Sequence, residues 1–205
     1  MKKLPLIFLL ILLSITHVNA TQIERHSSIA VMDMGVHRGT SDPDVNLLNA
    51  ETASSEYIIT RLVETKNFDV KDRTLILQAL QKLNMLGLID PDTAKKIGEL
   101  LKIRYIVYGN VTNVSVGEDT EVVVNVKTVK AHLVIRIMDI ETGKILMAAK
   151  GEGKSASSFI GDEEKDFFFI GTTKVSQTAV HNALKKAAFQ AVDVLNERLF
   201  GTGKK

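Results

Sequence analysis

The sequence predicts an α/β (α+β) protein: a single sheet flanked by helices, with two protruding β-hairpins and a long C-terminal helix. Three observations carry this expectation. Short β-branched runs alternate with stretches of helical period through the first half of the chain. The second half changes to long alternating strands joined by a turn containing glycine. The chain then closes on one uninterrupted helical stripe. A sheet with helices packed on it lets both kinds of element bury their apolar sides.

The elements follow in order. Lys2 and Lys3 precede an apolar run from Leu4 to Ile15, and Val18, Asn19 and Ala20 close the segment. The run is short for a bilayer crossing, which takes about 20 residues. The pattern is that of a secretory signal peptide over residues 1–20, with cleavage after Ala20. Residues 21–205 then make one domain-sized unit. Ser28 to Met34 has the β-branched, apolar character of a buried strand, and Gly35 to Asn46 the composition of a loop. Leu48, Ala53, Tyr57, Ile58, Leu62 and Val63 recur at helical spacing. A short strand begins at Phe68, and Asp72 is placed to cap a second helix that turns Leu75, Leu77, Ala79, Leu80 and Leu83 mostly inward.

A third helix starts at an Asp90 cap with Pro91 in its first position and Asp92 in the first turn, where the helix dipole favours an anion. Its stripe is Ala94, Ile97, Leu100 and Leu101. A strand leaves the core from Tyr105 and ends near Gly117. The chain turns at Glu118 and Asp119 and returns with Val122, Val124 and Val126 on one face. Leu133, Ile135 and Ile137 alternate with Val134, Arg136 and Met138 before the tight turn Glu141 to Lys144. Ile145 begins the partner strand. In the last helix Val180, Leu184, Ala187, Ala188, Ala191, Leu195 and Leu199 share one face, with Ser176 as cap and Gly201 as stop.

Composition excludes several functions. The 26 Lys and Arg stand against 24 Asp and Glu, and removal of Lys2 and Lys3 leaves 24 of each. A formally neutral chain lacks the electrostatic footprint of a nucleic-acid binder. There are no cysteines, so disulfides, thiolate metal sites, a cysteine nucleophile and a lipid-anchoring cysteine are all absent. The exported chain is expected to begin soluble in the periplasm.

Catalytic patterns are not found. The histidines, His17, His26, His37, His132 and His181, form no i, i+4 pair and no His-Glu-x-x-His motif. His132 and His181 read as packed or solvated side chains. No nucleophile elbow, P-loop or dinucleotide fingerprint occurs, and Gly171 to Ser176 lacks the spacing of a phosphate cradle. Asp33, at a strand end, has no visible partner in the sequence and reads as a turn or solvent residue. The acids of Gly161 to Asp166 lack calcium-loop spacing. The expectation is therefore no enzyme activity, no cofactor and no metal.

Two segments stand apart. Asn113 to Val129 reads as a hairpin, and so does Gly153 to Lys174, which gathers Phe159, Phe167, Phe168 and Phe169. An isolated two-stranded hairpin is marginal in water and exposes pairing edges. Each segment is expected to need a partner surface, either another copy or lipid.

Four sequence pieces in order resemble the CsgG family, the curli production assembly/transport component. Phe68, Val70 and Arg73 fit its first motif; Asp90, Pro91, Thr93, Ala94, Gly98, Leu100 and Leu101 fit the second. Tyr105, Val107, Gly109 and Val111 fit the third, and Arg136, Asp139, Thr142 and Gly143 the fourth. The resemblance spans roughly Ser28 to Phe200. It implies a non-enzymatic periplasmic α/β domain, at or near the outer membrane, that assembles into a homo-oligomeric ring and secretes or scaffolds an exported polypeptide. It also implies that Gly35 to Asn46 holds the constriction of such a channel, through Val36, His37, Arg38, Asp42 and Asn46. The two hairpins would supply its membrane strands, through Val122, Val124, Val126 and the four phenylalanines. The alternative is a soluble periplasmic accessory module that binds a cell-wall synthase or a surface appendage. The absent cysteine and the charges of the first hairpin, Glu118, Asp119, Glu121 and Lys127 among them, favour that alternative.

Overall fold

The computed structural model describes residues 23–36, 39, 41–42, 45–84, 91–121, 124–157 and 175–201. In chain order these form β1 (Ser27–Val31), β2 (Gly35–Val36), α1 (Ala50–Thr65), β3 (Phe68–Val70), α2 (Arg73–Lys82) and α3 (Pro91–Leu101). Then follow β4 (Tyr105–Glu121), β5 (Val124–Asp139), β6 (Ile145–Ser157) and α4 (Gln177–Phe200). The sheet runs β3-β1-β4-β5-β6, with the short β2 paired to β4 above the end of β1. β1 is parallel to both β3 and β4, and β4, β5 and β6 form an antiparallel meander.

Alternation along the strands sorts the core onto two faces. On one face Ile29, Val31, Val107, Leu133, Ile135 and Ile137 meet Ile58 and Leu62 of α1 and Leu184, Ala187 and Leu195 of α4. On the other, Ala30, Met32, Ile106 and Met138 meet Ile76 of α2 and Ala94 and Ile97 of α3. The predicted single sheet flanked by helices, closed by a long C-terminal helix, is the architecture observed.

Local chemistry fixes the element ends. The Asp72 carboxylate accepts the Thr74 N–H at 2.7 Å and the Thr74 hydroxyl, which caps α2 as expected. Those bonds, the hydroxyl first, hold its pKa below the usual carboxylate range. Lys66 ends α1 in the left-handed region at φ 57°, its N–H donating to the Val63 carbonyl. The turn between β5 and β6 is organised by Asp139, fully buried, whose Oδ1 accepts the N–H groups of Glu141 (2.9 Å) and Thr142 (3.1 Å). Gly143 supplies the positive φ of 67° that this turn requires.

Three sequence expectations are corrected. The strand and its returning arm do not turn at Glu118 and Asp119. Both lie within β4, Glu118 opposite Lys127 and Asp119 opposite Val126, and the strand pairs as far as Glu121 with Val124. The inward face of α1 is Ala50, Ser54, Ser55, Ile58 and Leu62, while Leu48 and Val63 are 65% and 55% exposed. In α2, Ile76 and Ala79 are buried and Leu75 and Leu77 face solvent. The cause in α1 is polar: the Ser55 hydroxyl accepts the Met34 N–H at 3.0 Å and lies 3.2 Å from the Met32 carbonyl. That bond satisfies buried backbone where the chain leaves β1, and it sets the rotation of the helix.

The tightest helix-to-strand packing joins α4 to β6. Gly151 and Gly153 face the helix backbone, and an added Cβ would lie 1.9 Å from the carbonyl oxygens of Ala187 and Ala183 respectively. Only a strand residue without a side chain opposite a small helical residue permits this approach. Gly153→Ala is expected to destabilise by about 3 kcal/mol through overpacking. Gly117→Ala, whose nearest neighbour would be Lys130 Nζ at 3.7 Å, should change stability by less than about 1 kcal/mol. Urea unfolding of both variants checks the contrast; equal midpoints would contradict it.

Candidate functional site

No group of three or more His, Asp or Glu side chains able to hold a metal ion occurs among the described residues. Three of the titratable side chains singled out in the sequence, Asp33, His132 and His181, make contacts within the fold. Asp33 does have a partner, contrary to the sequence reading: Arg73 of α2 binds it bidentately, Nε to Oδ1 at 2.9 Å and Nη2 to Oδ2 at 2.8 Å. Forty positions separate the two, so no local pattern announces the pair. His132 Nδ1 lies 3.5 Å from Glu152 Oε1 across β5 and β6. His181 of α4 sits edge-on to Tyr57 of α1, with Nδ1 3.2 Å from the phenol oxygen and Nε2 3.1 Å from Gln177 Nε2. With Gln177 donating to Nε2, the proton of the neutral ring belongs on Nδ1, facing Tyr57. Burial raises the Tyr57 pKa. These contacts tie elements together, and they make no nucleophile–base arrangement among the described residues.

The described parts of the candidate constriction loop lie along β4. Gly35 and Val36 pair with Asn110 and Val111, and Ser41 bridges Val114. The Asp42 N–H donates to the Val114 carbonyl at 3.1 Å, and its carboxylate accepts the Val116 N–H at 2.6 Å. Val36 is half-buried against the main core. Asn46 Oδ1 accepts the Leu48 N–H at 2.9 Å, an Asx turn leading into α1. His37 and Arg38 lie outside the described residues.

Of the candidate hairpin residues, Val124 and Val126 belong to β5 opposite Glu121 and Asp119. Val122, Phe159, Phe167, Phe168 and Phe169 lie outside the described residues. Gly153 to Ser157, the start of the second predicted hairpin, continues β6 and pairs with Lys127 to Ala131. Among the described residues β6 accompanies β5 as far as Lys127, and three residue pairs, Asp119–Val126, Thr120–Asn125 and Glu121–Val124, lie beyond that point.

The sequence reading misses how α4 treats the outer edge of β6. Gln190 accepts the Glu152 N–H at 2.5 Å, Lys186 donates to the Lys154 carbonyl at 2.9 Å, and Arg198 donates to the Ala148 carbonyl at 3.2 Å. Three backbone groups that point away from β5 are thus bonded within the subunit. The available signal was Gly151 and Gly153 two apart on a strand, with Ala183, Ala187 and Ala191 four apart on a helix. Beside this edge α4 bears an open groove of about 630 Å³ lined by Asn182, Lys186, Phe189 and Gln190 among others. Arg61 and Lys185 each place a cation about 5.4 Å from the Phe189 ring centre. Arg61 also holds Asp193 through two bonds of 2.7 and 3.1 Å, which raises its pKa.

Comparison with known proteins places these features in context. The family model of the curli production assembly/transport component CsgG matches residues 14–204. No curated protein matches the chain by sequence. Among solved structures, the hypothetical protein CT253 from Chlamydia trachomatis is similar at 13% identity and a TM-score of 0.49, over 85% of this chain and 95% of that one. The LpoB C-terminal domain from Salmonella enterica is similar at 17% identity and a TM-score of 0.46, over 63% and 84%. A PelC dodecamer subunit from Paraburkholderia phytofirmans is similar at 10% identity and a TM-score of 0.42, over 87% and 92%.

The geometry of the loop gives a test. Asp42→Ala removes the acceptor for the Val116 N–H and should release the loop from β4. Hydrogen exchange at Val116 is expected to accelerate about tenfold or more, the effect of losing roughly 1.4 kcal/mol of local protection, with exchange at Ile135 in the core unchanged. An unchanged Val116 rate would mean that Asp42 does not hold the loop.

Proposed function

This chain belongs to the CsgG family, the curli production assembly/transport component, and from that premise we propose that it is an exported, non-enzymatic cell-envelope factor. It acts as an accessory module that holds a polypeptide partner during assembly or transport at the outer membrane. The observation that carries this reading is the way the subunit covers part of its own sheet edges. α4 side chains occupy the outer edge of β6, and β2, Ser41 and Asp42 occupy the edge of β4 beyond β1. An edge bonded from within is a poor template for a neighbouring copy. A module of this kind presents finished surfaces to a partner.

The second reading is an oligomeric outer-membrane secretion channel, and one observation favours it. Beyond the end of β6 the β4–β5 ribbon has only itself to pair with among the described residues, and such ribbons are marginal alone. In this reading the ribbon and residues 153–174 pair between copies, with Val122, Val124, Val126, Phe159, Phe167, Phe168 and Phe169 toward lipid or a neighbour. Val36, His37, Arg38, Asp42 and Asn46 then line the constriction.

Light scattering on the exported chain, with and without detergent, separates the two. The accessory reading expects a monomer in both conditions and no heat-modifiable band in an outer-membrane fraction. A detergent-dependent particle of many copies would overturn it and install the channel.

A further inference from the structure

The face of β5 and β6 turned away from α4 has no described cover on its outer half. α2 and α3 occupy the inner half of the same face, where Ile106 and Met138 lie beneath them. Beyond Met138 the residues of that face are Arg136, Val134, His132 and Lys130 on β5, and Ala148, Lys150, Glu152 and Lys154 on β6. On β5 and β6, four cations therefore share the shelf with one carboxylate, that of Glu152, which lies 3.5 Å from His132 Nδ1. Arg136, Lys130, Lys150 and Lys154 take part in no ion pair among the described residues. In a chain with 26 Lys and Arg against 24 Asp and Glu, this is a segregation of charge.

One detail sets two like charges at paired positions. Lys130 stands directly opposite Lys154 in the register. The Lys154 carbonyl and the Glu152 N–H both point outward to α4, so these are positions where β5 and β6 exchange no backbone bonds and cross-strand side chains come closest. Like charges directly opposite are destabilising. An acid at either position would make a favourable pair with no change of fold.

We propose that this shelf binds an acidic segment of another polypeptide, its carboxylates lying along Lys130, Lys154, Lys150 and Arg136. Strand geometry makes the shelf roughly 20 Å long from Lys130 to Arg136, enough for about six extended residues whose same-side carboxylates repeat with the strand period. A membrane surface fits less well. The α2–α3 layer rises from the same face, and a helix layer is about 10 Å thick, so a flat bilayer meets the helices before it reaches the cations. The shelf is available to a partner whether the chain works alone or in a ring.

The test uses the exported chain and a fluorescent octaglutamate peptide, with phosphatidylglycerol vesicles as the alternative probe. Anisotropy should show salt-sensitive peptide binding that weakens at least tenfold in Lys130→Glu/Lys150→Glu. The control Lys95→Glu/Lys96→Glu, on the exposed side of α3, should stay within twofold. Lys130→Glu alone should bind the peptide more weakly while its melting temperature holds or rises, because it replaces a like-charge pair by an opposite one. Equal losses in shelf and control variants, a melting temperature that falls on Lys130→Glu, or binding to vesicles without binding to peptide would each overturn the proposal.

Discussion

The structure depends on one contact: the backbone of α4 lying directly on β6 at Gly151 and Gly153. Side chains on both elements would keep a helix and a strand about 10 Å apart. In this subunit two glycines opposite Ala183 and Ala187 bring carbonyl oxygens to where a Cβ would otherwise be. The remainder of the larger core follows, since α4 then reaches across β5 to α1 and buries Ala187, Ala188, Ala191, Val192 and Leu195. The approach also carries the polar flank of the helix over the strand edge, where Gln190, Lys186 and Arg198 find backbone partners. A helix held farther away would leave that edge open.

Two functional consequences follow from this one distance. Three outward backbone groups of β6 are bonded to α4, which makes that edge a poorer template for strand addition. All of α4 is also used on one face, and the cationic half of the opposite face has no cover among the described residues beside α2 and α3. The same arrangement that closes the subunit exposes the shelf. Family membership supports an envelope setting.

Much of the fold was legible because its signals are local. Asp72 caps α2, Pro91 opens α3, and Gly143 makes the β5–β6 turn, each through chemistry confined to four or five residues. The alanine-rich stripe of α4 was legible by its period alone. What the sequence hid was non-local. The phase of α1 depends on a bond from Ser55 to Met34, and Asp33 meets Arg73 from forty positions away. The position of the β4–β5 turn is set by the register of the two strands, so the turn-like composition of Gly117 to Thr120 misleads. The candidate site was legible as a set of segments, while the bonds that tie Asp42 to β4 and α4 to β6 required the fold.

The measurement closest to the central claim is hydrogen exchange at the Glu152 amide as a function of protein concentration, in the wild type and in Gln190→Ala. If the helix completes the edge of β6 from within, that amide is protected to the same degree at every concentration, and Gln190→Ala abolishes the protection. Protection that grows with concentration and survives Gln190→Ala would mean that a neighbouring copy, and not α4, completes the edge.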